Sequence, residues 1–117
     1  MDAIRAAVLD YFEGWFQGDP VRMERALHPE LAKRSLGAES LDSTTAEEMI
    51  EATRRGVGRT RLREGQDPEI HVEIEDVYDT IASVTVRSAV YHEYVQLIRT
   101  SAGWKIVNTV WQRTNRE

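Results

Sequence analysis

Few side chains in this chain are able to do chemistry, and their types narrow what that chemistry is. The 117 residues include no cysteine, which removes thiolate nucleophiles, disulfide scaffolds and cysteine-ligated zinc. Three histidines remain, His28, His71 and His92. Imidazole titrates near neutral pH and binds divalent metals, but no two of them stand at the helical spacing that would aim both rings at one ion. No metal and no cofactor is implied. His28, just before Pro29, is read as closing a short helix, its ring meeting the negative end of the helix dipole; a pocket-facing acid or base is the alternative. Arg54, Arg55, Arg59, Arg61 and Arg63 form the one dense cationic run. Interspersed glycine and the nearby Glu64 and Asp67 suit a solvated loop better than an anion site. Gly56-Val57-Gly58 follows a helix instead of preceding one, so it is no phosphate cradle.

These residues must be positioned by elements that the hydrophobic pattern lays out in order. Ile4, Ala7, Val8, Tyr11, Phe12, Trp15 and Phe16 recur at the period of one helical stripe. Gly18 stops that helix, and Asp19-Pro20 starts a second as N-cap and first helical residue. His28-Pro29 is expected to end it. Residues 30–42 read as an irregular link with a short extended piece at Ala32–Leu36. Thr44 and Glu47 suggest a capping box for a third helix carrying Ala46, Met49, Ile50 and Thr53 on its buried edge. From Glu69 the period becomes 2, with Ile70, Val72 and Ile74 alternating against His71, Glu73 and Glu75. Strands follow at Ile81–Ala89, Tyr91–Thr100 and Trp104–Arg113, joined by turns too short for anything but antiparallel pairing. Helices first and a meander afterwards give one α+β domain spanning residues 1–117.

Composition limits the partners. A net charge of −5 and 41% hydrophobic residues fit a folded acidic protein and argue against nucleic acid, whose binders carry a basic footprint. No apolar run approaches the roughly 18 residues of a membrane span. A cytoplasmic protein with no membrane partner is the expectation.

Phe16-Gln17-Gly18-Asp19, Leu27-His28-Pro29, and the terminal Tyr94-Val95-Gln96-Leu97 with Gly103-Trp104-Lys105-Ile106-Val107-Asn108 together resemble the nuclear transport factor two-like superfamily, which includes ketosteroid-isomerase-like and SnoaL-like proteins, and within it most nearly the lumazine-binding-like family. The resemblance implies a cone: N-terminal helices packed on a curved, mainly antiparallel sheet, a cystatin-like roll. It sets Tyr11 at the position of the isomerase's oxyanion-binding tyrosine. It also sets Ser35 and Val95 where the two acids of that enzyme stand, so the isomerase's own chemistry is not expected. It turns Glu93, Val95 and Leu97 inward, with Ile106, Asn108, Val110 and Gln112 from the last strand.

Lined also by Tyr11, Trp15, Phe16, Leu36 and Met49, the cone would hold an apolar pocket for a small apolar or aromatic molecule; packing alone explains Tyr11, Trp15 and Met49 equally well. Glu93 on a cavity wall would be a base near neutral pH, helped by Tyr11 or Asn108. At a wet rim it would pair with Arg87 or another surface cation, and the rim is the preferred reading. A small-molecule-binding domain is the leading expectation. A lyase or isomerase using Glu93 or His28 as base and Tyr11 as stabiliser is the rival, and a structural dimerisation module the third. Outward-facing Tyr94, Val107, Thr109 and Trp111, with Ile98 beside them, are expected to form a homodimer interface.

Overall fold

The computed structural model describes residues 1–114. The aromatic stripe becomes α1 (Asp2–Gln17), which buries Ile4, Val8, Tyr11, Phe12 and Phe16. Gly18 ends it at φ 72°, a left-handed conformation that glycine adopts without a Cβ clash. The Asp19 carboxylate then accepts the Val21 and Arg22 backbone N–H groups and starts α2 (Pro20–Ala26). Arg22 reaches back across the corner to Asp10 at 3.0 Å and Glu13 at 2.7 Å, and Arg25 takes the other Asp10 oxygen at 2.9 Å. Hydrogen bonds from Arg25 and Arg22 hold the Asp10 carboxyl below its usual range. This network ties α1 to α2.

Three local expectations need correction. α2 ends at Ala26, and His28 lies not on a helix end but in β1 (Leu27–Leu36), where its Nδ1 accepts the Glu30 N–H at 3.0 Å. The expected irregular link at 30–42 is the rest of β1, a turn, and the start of β2 (Leu41–Thr44). Because Thr44 closes β2, the capping box of α3 (Ala46–Arg54) is shifted by one residue to Thr45 and Glu48. A 3₁₀ turn, Gly58–Arg61, follows.

The C-terminal half forms β3 (His71–Tyr78), β4 (Ile81–Arg87), β5 (Tyr91–Thr100) and β6 (Gly103–Arg113). All six strands make one sheet in the order β2-β1-β6-β5-β4-β3. β1 runs parallel to β6, and every other pairing is antiparallel. The helices pack on one face, α1 and α2 against β6 and α3 against β1. Ala82, Val84 and Val86 of β4 and Val95 and Leu97 of β5 are buried there, as alternation predicts.

On β6 the alternation breaks. Ile106 pairs with Leu97, but Asn108 pairs with Gln96, so Val107 is an extra residue in a β-bulge. One inserted residue exchanges the two faces of everything beyond it. Ile106 therefore points inward as expected, whereas Thr109 and Trp111 also turn inward, and Asn108, Val110 and Gln112 turn out to solvent.

Gly58 explains how the 3₁₀ turn meets α1. A Cβ there would lie 2.2 Å from the Trp15 carbonyl oxygen and 2.7 Å from its indole, so only glycine allows this approach. Gly58→Ala should lower the unfolding free energy by about 1–3 kcal/mol, the usual cost of overpacking, in urea denaturation. An unchanged midpoint would show that the turn does not seat on Trp15.

Candidate functional site

Three elements aim one polar side chain each at the same point. α1 brings Tyr11, β1 brings Lys33 and β5 brings Glu93. The Tyr11 hydroxyl donates to Glu93 Oε2 at 2.7 Å. Lys33 Nζ donates to the same oxygen at 3.0 Å and to the Tyr11 oxygen at 2.5 Å. Glu93 and Tyr11 are 2% and 1% exposed. A buried charge costs several kcal/mol unless paired and hydrogen-bonded, and each member of this triad supplies what another lacks. Burial pushes the Lys33 ammonium below its ordinary value while the Glu93 carboxylate pulls the other way. Burial, and then the adjacent Glu93 charge, pushes the Tyr11 phenol well above its usual range. Tyr11 is therefore a neutral donor. The Lys33 ammonium also lies 5.0 Å from the Trp111 ring centre and 5.3 Å from that of Tyr11, a cation–π placement.

The triad closes the inner end of a cavity of about 180 Å³. Aromatic side chains form most of its wall: Phe12 and Trp15 from α1, Tyr91 from β5 and Trp111 from β6, with Met49 and Ala52 of α3 and Thr44 of β2. The Trp15 indole N–H donates to the Tyr91 hydroxyl at 3.0 Å. Tyr91 meets Trp111 edge-on at 5.4 Å and stacks on Phe16 at 5.9 Å. Exposed Arg61 and Arg113 complete the lining. Among the described residues, Thr109 Oγ1 is the one buried side-chain polar atom without a hydrogen bond; it stands beside Lys33 in the β1–β6 ladder.

Of the residues expected to line a pocket, Tyr11, Trp15, Met49 and Glu93 do so. Phe16 lies behind Tyr91, and Val95 is fully buried core. Leu36 is 86% exposed, and Asn108 and Val110 lie on the outer face because of the bulge. Asn108 hydrogen-bonds Gln96 there and is not available to stabilise charge in the cone. Glu93 is not at a wet rim and does not pair with Arg87, whose nearest carboxylate is Glu73 at 3.9 Å. His28 does not reach the cavity. Of the expected interface, Tyr94 is exposed, Val107 occupies the bulge, and Thr109 and Trp111 face inward.

Phe12, Lys33, Thr44, Ala52, Arg61, Tyr91, Trp111 and Arg113 line the cavity without having been expected there. The chain has only two lysines among 15 Lys and Arg residues, but rarity alone does not single out Lys33, since the other, Lys105, bonds the Arg25 carbonyl oxygen at the surface.

The chain belongs to the Putative lumazine-binding family, whose sequence pattern matches residues 1–112. Its fold is that of several solved structures. An NTF-2 like protein of unknown function from Silicibacter pomeroyi has a TM-score of 0.75 at 17% identity, over 97% of this chain and 94% of that one. An NTF2-like protein of unknown function from Shewanella baltica has a TM-score of 0.75 at 15% identity, over 98% and 94%. A ketosteroid isomerase-like protein from Erwinia carotovora atroseptica has 0.63 at 16% identity, over 99% and 97%. No curated protein matches the chain.

Breaking a buried ion pair from one side costs about 3–5 kcal/mol, whereas replacing both partners with apolar groups is often close to neutral. Lys33→Met and Glu93→Leu should each destabilise by that order, and the double variant by much less than their sum in urea denaturation. Additive losses would contradict a direct pair.

Proposed function

We propose that this chain is a small-molecule-binding domain whose ligand enters the aromatic cavity above the Tyr11–Lys33–Glu93 triad. The observation that carries the reading is an open, ring-walled space with a few polar groups among its lining residues. Apolar walls with a few placed polar groups are the usual composition of such sites. A dimerisation module with a self-filled cone would leave no such space. A lyase or isomerase reading has less support. Tyr11 donates its one proton to Glu93, leaving none for a developing oxyanion, and Ser35 and Val95 stand at the positions of the related isomerase's acids. No helix among the described residues is long and apolar enough to cross a membrane, and a cytoplasmic setting is part of the proposal.

Two of the three tryptophans line the cavity, so occupancy has an optical readout. Neutral single-ring compounds such as phenol and para-hydroxybenzamide should change tryptophan fluorescence saturably and raise the melting temperature, since a ligand at a hundred times its Kd adds about 2.7 kcal/mol to the folded state. Ala52→Phe, which fills the cavity, should abolish both signals. Null results across such compounds would favour the structural module.

The homodimer proposal moves with the bulge. Leu36, Leu41, Tyr94 and Val110 are all more than half exposed, and the strand register puts them on the face opposite the helices, spread across β2, β1, β6 and β5. A second copy pairing through this face would bury them isologously. Tyr94→Glu combined with Val110→Glu should convert dimer to monomer in sedimentation velocity; an unchanged sedimentation coefficient would exclude this face.

A further inference from the structure

The cavity's charges do not balance. Although the protein is acidic overall, with a net charge of −5, the cavity lining carries Lys33, Arg61 and Arg113 against the single carboxylate of Glu93. Lys33 and Glu93 neutralise one another at 3.0 Å. Arg61 and Arg113 have no carboxylate within ion-pair distance among the described residues. Both line the cavity together with Tyr91: Arg113 is the cross-strand partner of Tyr91, and burial raises the Tyr91 phenol while the charges of Arg61 and Arg113 oppose that rise. The site therefore has a neutral polar inner end, a ring-lined middle and a doubly cationic outer end.

We propose, resting on the reading of the cavity as a binding site, that its ligand is a single-ring aromatic carboxylic acid. Its carboxylate lies between Arg61 and Arg113, and its uncharged polar end points toward Lys33 and Tyr11. Two guanidiniums suit a planar carboxylate, because their forked N–H groups match its oxygens and remain charged at every physiological pH. The ring is set by the walls, where Trp15, Tyr91 and Trp111 offer faces and edges for stacking. Its size is set by the volume: a dry cavity of about 150 Å³ holds one benzene, so about 180 Å³ accepts one substituted ring and not a fused polycycle. At the inner end Lys33 Nζ makes two of its three possible donations to Glu93 and Tyr11, which leaves one for a ligand hydroxyl or carbonyl.

The test compares para-hydroxybenzoate with para-hydroxybenzamide, two rings of nearly the same shape that differ in charge, by titration calorimetry on the full chain and on Arg61→Gln and Arg113→Gln. Both arginines are exposed, so the variants should fold, and a melting curve checks this. The acid is expected to bind at least about tenfold more tightly than the amide, in line with charge-assisted hydrogen bonds. Each variant should remove most of that preference, and added salt should weaken acid binding. Equal affinity of the two compounds, or variants that lose both equally, would overturn the inference and leave the binding site standing. Failure of both compounds to bind would overturn the site and the inference together.

Discussion

Glu93 is a carboxylate almost wholly withdrawn from bulk water, and much of the architecture around the cavity follows from that constraint. An ionised carboxylate in an apolar interior requires a countercharge and hydrogen-bond donors, and the protein supplies them from two distant parts of the chain. Tyr11 comes from the first helix and Lys33 from β1, which lies beside β6. The parallel β1–β6 ladder is what delivers Lys33 to this depth. Tyr11 arrives on the buried apolar face of α1, and that helix is joined to α2 by Arg22 and Arg25 on Asp10.

The bulge at Val107 is the second determinant. Without it, Trp111 and Thr109 would lie on the outer face and Val110 would point into the cone. With it, Trp111 becomes a cavity wall and the cation–π neighbour of Lys33, and Arg113 joins the lining. The same inserted residue leaves Val110 and Tyr94 opposite one another on the outside. One local irregularity therefore sets the character of both faces of the sheet.

The sequence made some of this legible and hid the rest for identifiable reasons. The period-3.6 stripe of α1, the Gly18-Asp19 stop and restart, and the alternation of β4 and β5 depend on local pattern, and they stand as expected. β1 was obscured because Leu27–Leu36 contains Pro29 and the charged Glu30, Lys33 and Arg34, and its pairing with β6 depends on a segment far along the chain. The bulge was hidden because strict alternation has no provision for an extra residue; adjacent Ile106 and Val107, and then Val110 and Trp111, are apolar in both phases. Lys33 escaped because lysine is almost never buried unless paired, and the pairing partner is visible only in three dimensions. The inward direction of Glu93 was legible, but its surroundings were not.

What emerges is a cone whose inner end is an internally neutralised polar cluster and whose outer end is cationic, on a protein that is otherwise acidic. The central claim is that Lys33 is buried against Tyr11, Glu93 and Trp111. The chain has two lysines, Lys33 and Lys105, so a nuclear Overhauser spectrum of lysine-labelled protein reads the site with little overlap. The ε-methylene protons of Lys33 should show cross-peaks to the ring protons of both Tyr11 and Trp111. A Lys33 side chain with solvent-like shifts and no aromatic cross-peak would contradict the buried triad and the bulge that frames it.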